Sequence, residues 1–170
     1  MKSKKNIVLI GMMGSGKSSI GKILSKRLNL NFIDIDRKIE EDEMTSISDI
    51  FKKNGEDYFR KIEEKVSLKY LKSANSVISL GGGGFINSVI RKFCKKTSTS
   101  FWLNWNNDTI VRRIYKSKKR PLAIKLNKNQ INNLINERSK IYKLSDHEIK
   151  CEKLDKAQII NKIINVYEDE

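Results

Sequence analysis

Gly11-Met-Met-Gly-Ser-Gly-Lys17-Ser18 fits the spacing G-x-x-x-x-G-K-[ST] at every fixed position. Each residue type in it has a physical task. The glycines let the backbone curl so that the N–H groups of Gly14, Ser15, Gly16, Lys17, Ser18 and Ser19 face phosphate oxygens. A helix opening near Lys17 adds the positive end of its dipole. Lys17 brings a full charge to the β- and γ-phosphates, and the small Ser18 hydroxyl suits Mg²⁺. The strand-like run 6–10 before the motif is apolar from Ile7 to Ile10, and the helical spacing of Ile20, Ile23, Leu24 and Leu28 follows it. Strand, loop and helix together imply ATP or GTP with Mg²⁺. They leave the phosphate acceptor open.

Further residues bear on the acceptor. Asp34-Ile-Asp36 closes a second strand-like run at residues 31–35. Strand alternation would put both carboxylates on one side, at the end of the sheet where open α/β folds bind ligands. One acid would lie near Mg²⁺ or its waters while the other accepts a hydroxyl proton; locally, Asp36 reads equally as a helix N-cap. Arg60 and Glu63 stand at i,i+3 on a helical stretch, where an exposed ion pair is the plain local reading. Gly81-Gly82-Gly83-Gly84 directly follows the strand-like run 76–80. Four glycines there are best explained by close backbone approach to a ligand. Arg120-Pro121-Leu122 lies in a basic, apolar-poor stretch that is expected to be mobile, and Arg138 lies on the helix after it.

The elements that must position these residues alternate. Strands are expected at 6–10, 31–35, 76–80, 101–104 and 148–151, and helices at 17–28, over the mixed stretch up to Tyr70 with a break at Asn54-Gly55, and at 107–115, 128–142 and 155–167. That alternation predicts an α/β fold with a mostly parallel sheet. At 170 residues, with no linker or internal repeat, one domain is expected over 1–170. No apolar run approaches the ~20 residues of a membrane span, so the protein is expected to be soluble and untargeted.

The net charge of +15 raises nucleic acid as a partner. Its distribution points elsewhere. Residues 34–64 hold 11 of the 20 acidic residues, whereas residues 112–143 hold 11 basic residues against Glu137 alone. A basic lid over an anionic ligand accounts for this better than a nucleic-acid surface. Two cysteines and a single histidine cannot make a four-ligand zinc site. Unpaired Cys94 and Cys151 fit a reducing cytoplasm. His147, beside Asp146, reads as structural, and the apolar stripe of the last helix reads as core.

The glycine-rich loop, Asp-x-Asp, Phe59-Arg60-x-x-Glu63, Ser79-Leu-Gly-Gly-Gly83, Arg120-Pro-Leu and Glu137-Arg138-x-x-x-Tyr142 occur in one order along nearly the whole chain. Together they resemble the shikimate kinase family. The resemblance implies a three-layer P-loop NTPase fold with a five-stranded parallel sheet in the order 2-3-1-4-5. It implies transfer of the ATP γ-phosphoryl group to the 3-hydroxyl of shikimate, in a cytoplasmic monomer using Mg²⁺, with no nucleic-acid or membrane partner. By position, Asp36 would be the base on the acceptor hydroxyl, and Lys17 and Arg120 would act on the transferring phosphates. Ser18 and, through water, Asp34 would hold the metal. Arg60, Gly82, Gly83 and Arg138 would bind shikimate, with the two arginines on its carboxylate. Arg113 would flank the adenine. The substrate region would span about 34–62 and the mobile lid about 112–125. The sequence around 152–156 lacks a clear match to the family's adenine loop. A P-loop kinase for another small hydroxylated metabolite, such as gluconate or a nucleoside monophosphate, is the alternative enzyme, and a non-catalytic nucleotide- or nucleic-acid-binding module is the alternative class.

Overall fold

A computed structural model describes residues 5–116 and 126–169. Arg120 and most of the stretch read as a lid therefore lie outside the described residues. The chain runs β1 (Asn6–Ile10), α1 (Lys17–Arg27), β2 (Asn31–Asp34), α2 (Ile35–Glu43), α3 (Ile47–Leu71), β3 (Ser76–Ser79), a 3-10 turn (Gly84–Ile86), α4 (Ser88–Thr97), β4 (Ser98–Asn104), α5 (Asn107–Lys116), α6 (Lys128–Tyr142), β5 (His147–Lys150) and α7 (Lys156–Glu168). The strands form one sheet in the order β2-β3-β1-β4-β5, with every pairing parallel.

The side-chain alternation of β1 explains the three layers. Ile7 and Leu9 face a cluster with Ile20 and Leu24 of α1 and Ile159, Ile160 and Ile163 of α7. Val8 and Ile10 face the other way, into a cluster with Ile39, Ile50, Ile90, Ile110 and Ile135 of α2 to α6. A strand covered on both faces reads as a near-continuous apolar run; all five residues of β1 are buried, and its one polar residue, Asn6, donates to the Ser73 carbonyl and accepts from the Ser76 N–H. The phosphate-cradling loop thus springs from the central strand of the sheet.

Beside one-residue shifts at several element ends, the structure departs from the sequence expectation in three places with a visible cause. β2 stops at Asp34, and Ile35 and Asp36 open α2. The alternation of Ile33 and Ile35 looks like strand, but Asp34 turns the chain by accepting from the Arg37 N–H. A helix, α4, fills a stretch for which the periodicity gave none. Asn87 caps it by accepting from the Val89 and Ile90 N–H groups at 2.8 and 3.2 Å, and only Ile90 and Cys94 of it are buried. β4 begins at Ser98 rather than 101. In its polar start, buried Ser100 is satisfied by the Asp146 carboxylate, which accepts from its N–H at 2.9 Å and its hydroxyl at 2.6 Å, the pairing a buried polar group requires; the Ser98 hydroxyl meets that of Thr97 at 3.2 Å.

The break expected at Asn54-Gly55 is present. Gly55 interrupts α3 with φ 82° and ψ 176°, a region essentially closed to residues with a Cβ. Gly55→Ala is expected to lower the unfolding free energy by about 1–3 kcal/mol, read as an earlier midpoint in urea. A Cβ there meets nothing within 4 Å, so the loss would come from backbone strain alone.

Cys94 and Cys151 are free and buried, and burial pushes both thiols up to about 12. They stay protonated at neutral pH, which leaves them inert as nucleophiles. His147 stacks on Phe101 with ring centroids 5.1 Å apart. No helix among the described residues is long and apolar enough to cross a membrane.

Candidate active site

The loop between β1 and α1 is held from inside and outside. Inside, the Lys17 ammonium donates to the carbonyls of Gly11 at 2.9 Å and Met12 at 3.1 Å, and reaches the Ser15 hydroxyl at 3.5 Å. Outside, the Trp105 indole N–H donates to the Ser15 carbonyl at 2.9 Å, and Arg113 donates to the Gly14 carbonyl at 3.1 Å. The Arg113 guanidinium lies over the Trp105 ring, 3.9 Å from its centroid, a cation–π contact that keeps both donors in place. A trans peptide points its N–H opposite to its carbonyl. Drawing the Ser15 carbonyl outward therefore turns the Gly16 N–H inward, where a phosphate needs it. Trp105 was not among the sequence candidates; the one signal it gave was a polar-tipped aromatic just past a strand end.

Ser18 opens the first turn of α1, and its hydroxyl donates to Asp34 Oδ2 at 2.5 Å. The residues fit magnesium. A serine hydroxyl and a carboxylate are hard oxygen donors, and this ion takes one or two protein oxygens beside substrate phosphates and water. Among the described residues no group of three or more His, Cys, Asp or Glu side chains is gathered, so an all-protein cage is not on offer there.

Strand alternation does not place the two aspartates. Asp34 ends β2 and is the N-cap of α2, whereas Asp36 belongs to the first turn of that helix. The capping role read locally for Asp36 thus falls to Asp34. The strand-to-helix turn sends Asp34 to Ser18 and Asp36 to the glycine loop after β3.

That loop is where the remaining candidates meet. A Cβ built on Gly81 would lie 2.5 Å from Asp36 Oδ1 and 2.8 Å from Glu63 Oε1. One on Gly82 would lie 3.3 Å from the Met13 backbone nitrogen and 3.4 Å from Arg138 Nη1. One on Gly83 would overlap the Arg60 guanidinium, 2.8 Å from its carbon. Side chains from α2, α3 and α6 thus converge on backbone that carries none of its own. Any substituent would fill the space they share.

The plain reading of Arg60 and Glu63 as an exposed pair gives way to something else. Arg60 Nη1 lies 2.7 Å from Glu63 Oε2, and Glu63 is only 2% exposed. On its other side Arg60 pairs with Glu56 at 3.0 Å. Burial works against the guanidinium charge, but Glu63 and then Glu56 outweigh it and hold Arg60 above its ordinary value. A single carboxylate therefore aims Arg60 over Gly83 while also approaching Gly81. The burial of Glu63 was invisible in the sequence, where i,i+3 spacing is the mark of a surface pair.

Arg138, on α6, brings Nη1 to 3.7 Å from Met12 Sδ and so bridges the two loops. One turn on, the Tyr142 hydroxyl donates to the Gly82 carbonyl. At the expected adenine side, Glu152 accepts from the Thr109 hydroxyl at 3.2 Å and ties the segment after β5 to α5. Among the described residues the arrangement thus offers cationic and N–H donors at one end, two arginines at the other, and the Asp36 carboxylate against the glycine loop. Such a site can take a phosphate donor and a small hydroxylated carboxylate side by side.

The sequence profile describing shikimate kinases matches residues 13–168. A shikimate kinase of Persephonella marina is 40% identical over 160 residues, spanning 94% of this chain and 97% of the relative. The crystal structure of shikimate kinase from Aquifex aeolicus superimposes with a TM-score of 0.86 at 39% identity, covering 96% of each chain. Shikimate kinase from Acinetobacter baumannii, solved in complex with shikimate, gives a TM-score of 0.92 at 27% identity over 99% of this chain and 95% of the other.

Proposed function

This chain belongs to the shikimate kinase family, and we infer from its site that it transfers the γ-phosphoryl group of ATP to the 3-hydroxyl of shikimate, giving shikimate 3-phosphate and ADP. The observation that carries this reading is the meeting of Asp36, Arg60 and Arg138 on the glycine loop beside the lysine-bearing one.

In this reading Arg60 and Arg138 hold the shikimate carboxylate, the bidentate match that guanidinium groups make best. Gly82 and Gly83 let the acceptor approach the backbone. Asp36 takes the proton of the 3-hydroxyl as its oxygen bonds to the γ-phosphorus and the bridge to the β-phosphate breaks. Lys17 and the N–H groups of Gly14 through Ser19 hold the phosphates, and Arg113 lies beside the adenine. Arg120, which lies outside the described residues, would act on the transferring phosphoryl group. Ser18, and Asp34 through water, would hold Mg²⁺, which neutralises phosphate charge when bound. The enzyme works as a cytoplasmic monomer, with no nucleic-acid or membrane partner.

Release of ADP from MgATP tests the reading, with shikimate, quinate, gluconate or AMP as acceptor. Strong stimulation by shikimate alone is expected. Equal stimulation by gluconate would reassign the acceptor, and no stimulation by any acceptor, with ATP still bound, would leave a non-catalytic module.

A further inference from the structure

Tyr142 is buried at 2% exposure, with its ring 5.9 Å from that of Trp102 in β4. A phenylalanine would fill the same space. Burying a phenol hydroxyl is unfavourable unless a partner is supplied, so the hydroxyl calls for an explanation that packing does not give. Its acceptor is the Gly82 carbonyl. That residue sits in the loop gathering Asp36, Arg60 and Arg138, and Arg138 is on the same face of α6, four residues back.

We propose that Tyr142 is a positioning residue for the phosphoryl acceptor: by holding the Gly82 carbonyl it fixes the Gly82–Gly83 peptide and so aims the Gly83 N–H. The peptide is trans, so its N–H points away from Tyr142 and α6. Arg60 lies against Gly83. The rest of the loop is already closed by the Gly84 N–H on the Gly81 carbonyl and the Ile86 N–H on the Gly83 carbonyl, both at 3.0 Å. The Gly82–Gly83 plane is the part those turn bonds do not hold. Without a Cβ on either residue, sterics leave it free to rotate. The tyrosine removes that freedom from a distance, through a side chain rooted in the core. Burial pushes its phenol up to about 12, against the opposing charge and hydrogen bond of Arg138. At neutral pH it therefore keeps the proton that it donates.

This inference rests on the shikimate reading, and the experiment separates the two. Wild type and Tyr142→Phe are compared by steady-state kinetics with both substrates varied. A lost hydrogen bond of ordinary strength predicts a KM for shikimate raised about 3- to 10-fold, with KM for ATP within about twofold. In protein labelled with ¹⁵N-glycine, the Gly83 amide resonance should shift in the variant, and its response to shikimate should shrink. An unchanged KM for shikimate, or equal rises in both KM values, would overturn the proposal. A variant that lost its fold would overturn it too, because the hydroxyl would then be serving the core. A wild-type enzyme indifferent to shikimate would instead sink the functional reading and this inference with it.

Discussion

Asp36→Asn is expected to lower kcat about 10²- to 10⁴-fold, the range general-base catalysis supplies, while leaving ATP affinity unchanged. The substitution is nearly isosteric, so the amide still fits against Gly81. It can no longer take up a proton at the carboxylate position. Neighbouring groups offer no substitute. Glu63 also reaches Gly81, but it is engaged by Arg60 at 2.7 Å. Asp34 is committed to the Ser18 hydroxyl at 2.5 Å. The nucleotide loop keeps the bonds that Lys17 donates to the Gly11 and Met12 carbonyls and Trp105 to the Ser15 carbonyl. Rapid-quench turnover and calorimetric titration with ADP would measure the two halves of the expectation. A kcat within tenfold of wild type would remove Asp36 from the role of base.

Gly81→Ala is expected to lower kcat/KM for shikimate about 10²-fold, the loss that displacement of a reacting group by about 1 Å can bring. The added methyl would stand 2.5 Å from Asp36 Oδ1, where ordinary contact begins at 3.4 Å. The backbone has little room to yield. Just before the loop, the Leu80 N–H donates to the Leu9 carbonyl at 3.1 Å, and just after, the Gly84 N–H donates to the Gly81 carbonyl at 3.0 Å. The side chains must move instead, and those are Asp36 and Glu63, with Arg60 drawn along. Gly84→Ala supplies the control in the same loop. A methyl there meets Leu80 and Glu63 at 3.5 and 3.6 Å, which are ordinary contacts, so activity should stay within about twofold. Equal damage from both substitutions would point to loop folding rather than to the position of Asp36.

The fold was legible wherever burial imposes a period. β1 is covered on both faces and reads as a near-continuous apolar run after Asn6; α1 is covered on one face and reads at helical spacing. Legibility failed where polar groups decide. Asp34 ends β2 by capping, Ser100 in the hydroxyl-rich start of β4 is satisfied by Asp146, and the short buried edge of α4 is diluted by four basic residues. The site divides in the same way. Lys17, Asp36 and the glycine run 81–84 stood out because their types and spacing are chemical, whereas Arg60 and Arg138 were picked out only by the family resemblance. Trp105, the Tyr142 hydroxyl and the burial of Glu63 did not. They act on backbone carbonyls or on another side chain, and that depends on which elements pack together.

The register of β1 has a consequence for how the protein comes to exist on the ribosome. This strand is synthesised first, yet its partners are late: Ile7 aligns with Val77 in β3 and with Thr99 in β4. Parallel neighbours require long crossovers, and closing such loops precedes any gain from the contacts they bring. The nascent chain therefore exposes its most apolar strand, bearing the nucleotide loop, until β4 has left the exit tunnel. Trp105, which steadies that loop, is translated directly after β4. The first motif to be made is among the last to be completed, and working enzyme should appear only once α6 has brought Arg138 and α7 has covered one face of β1.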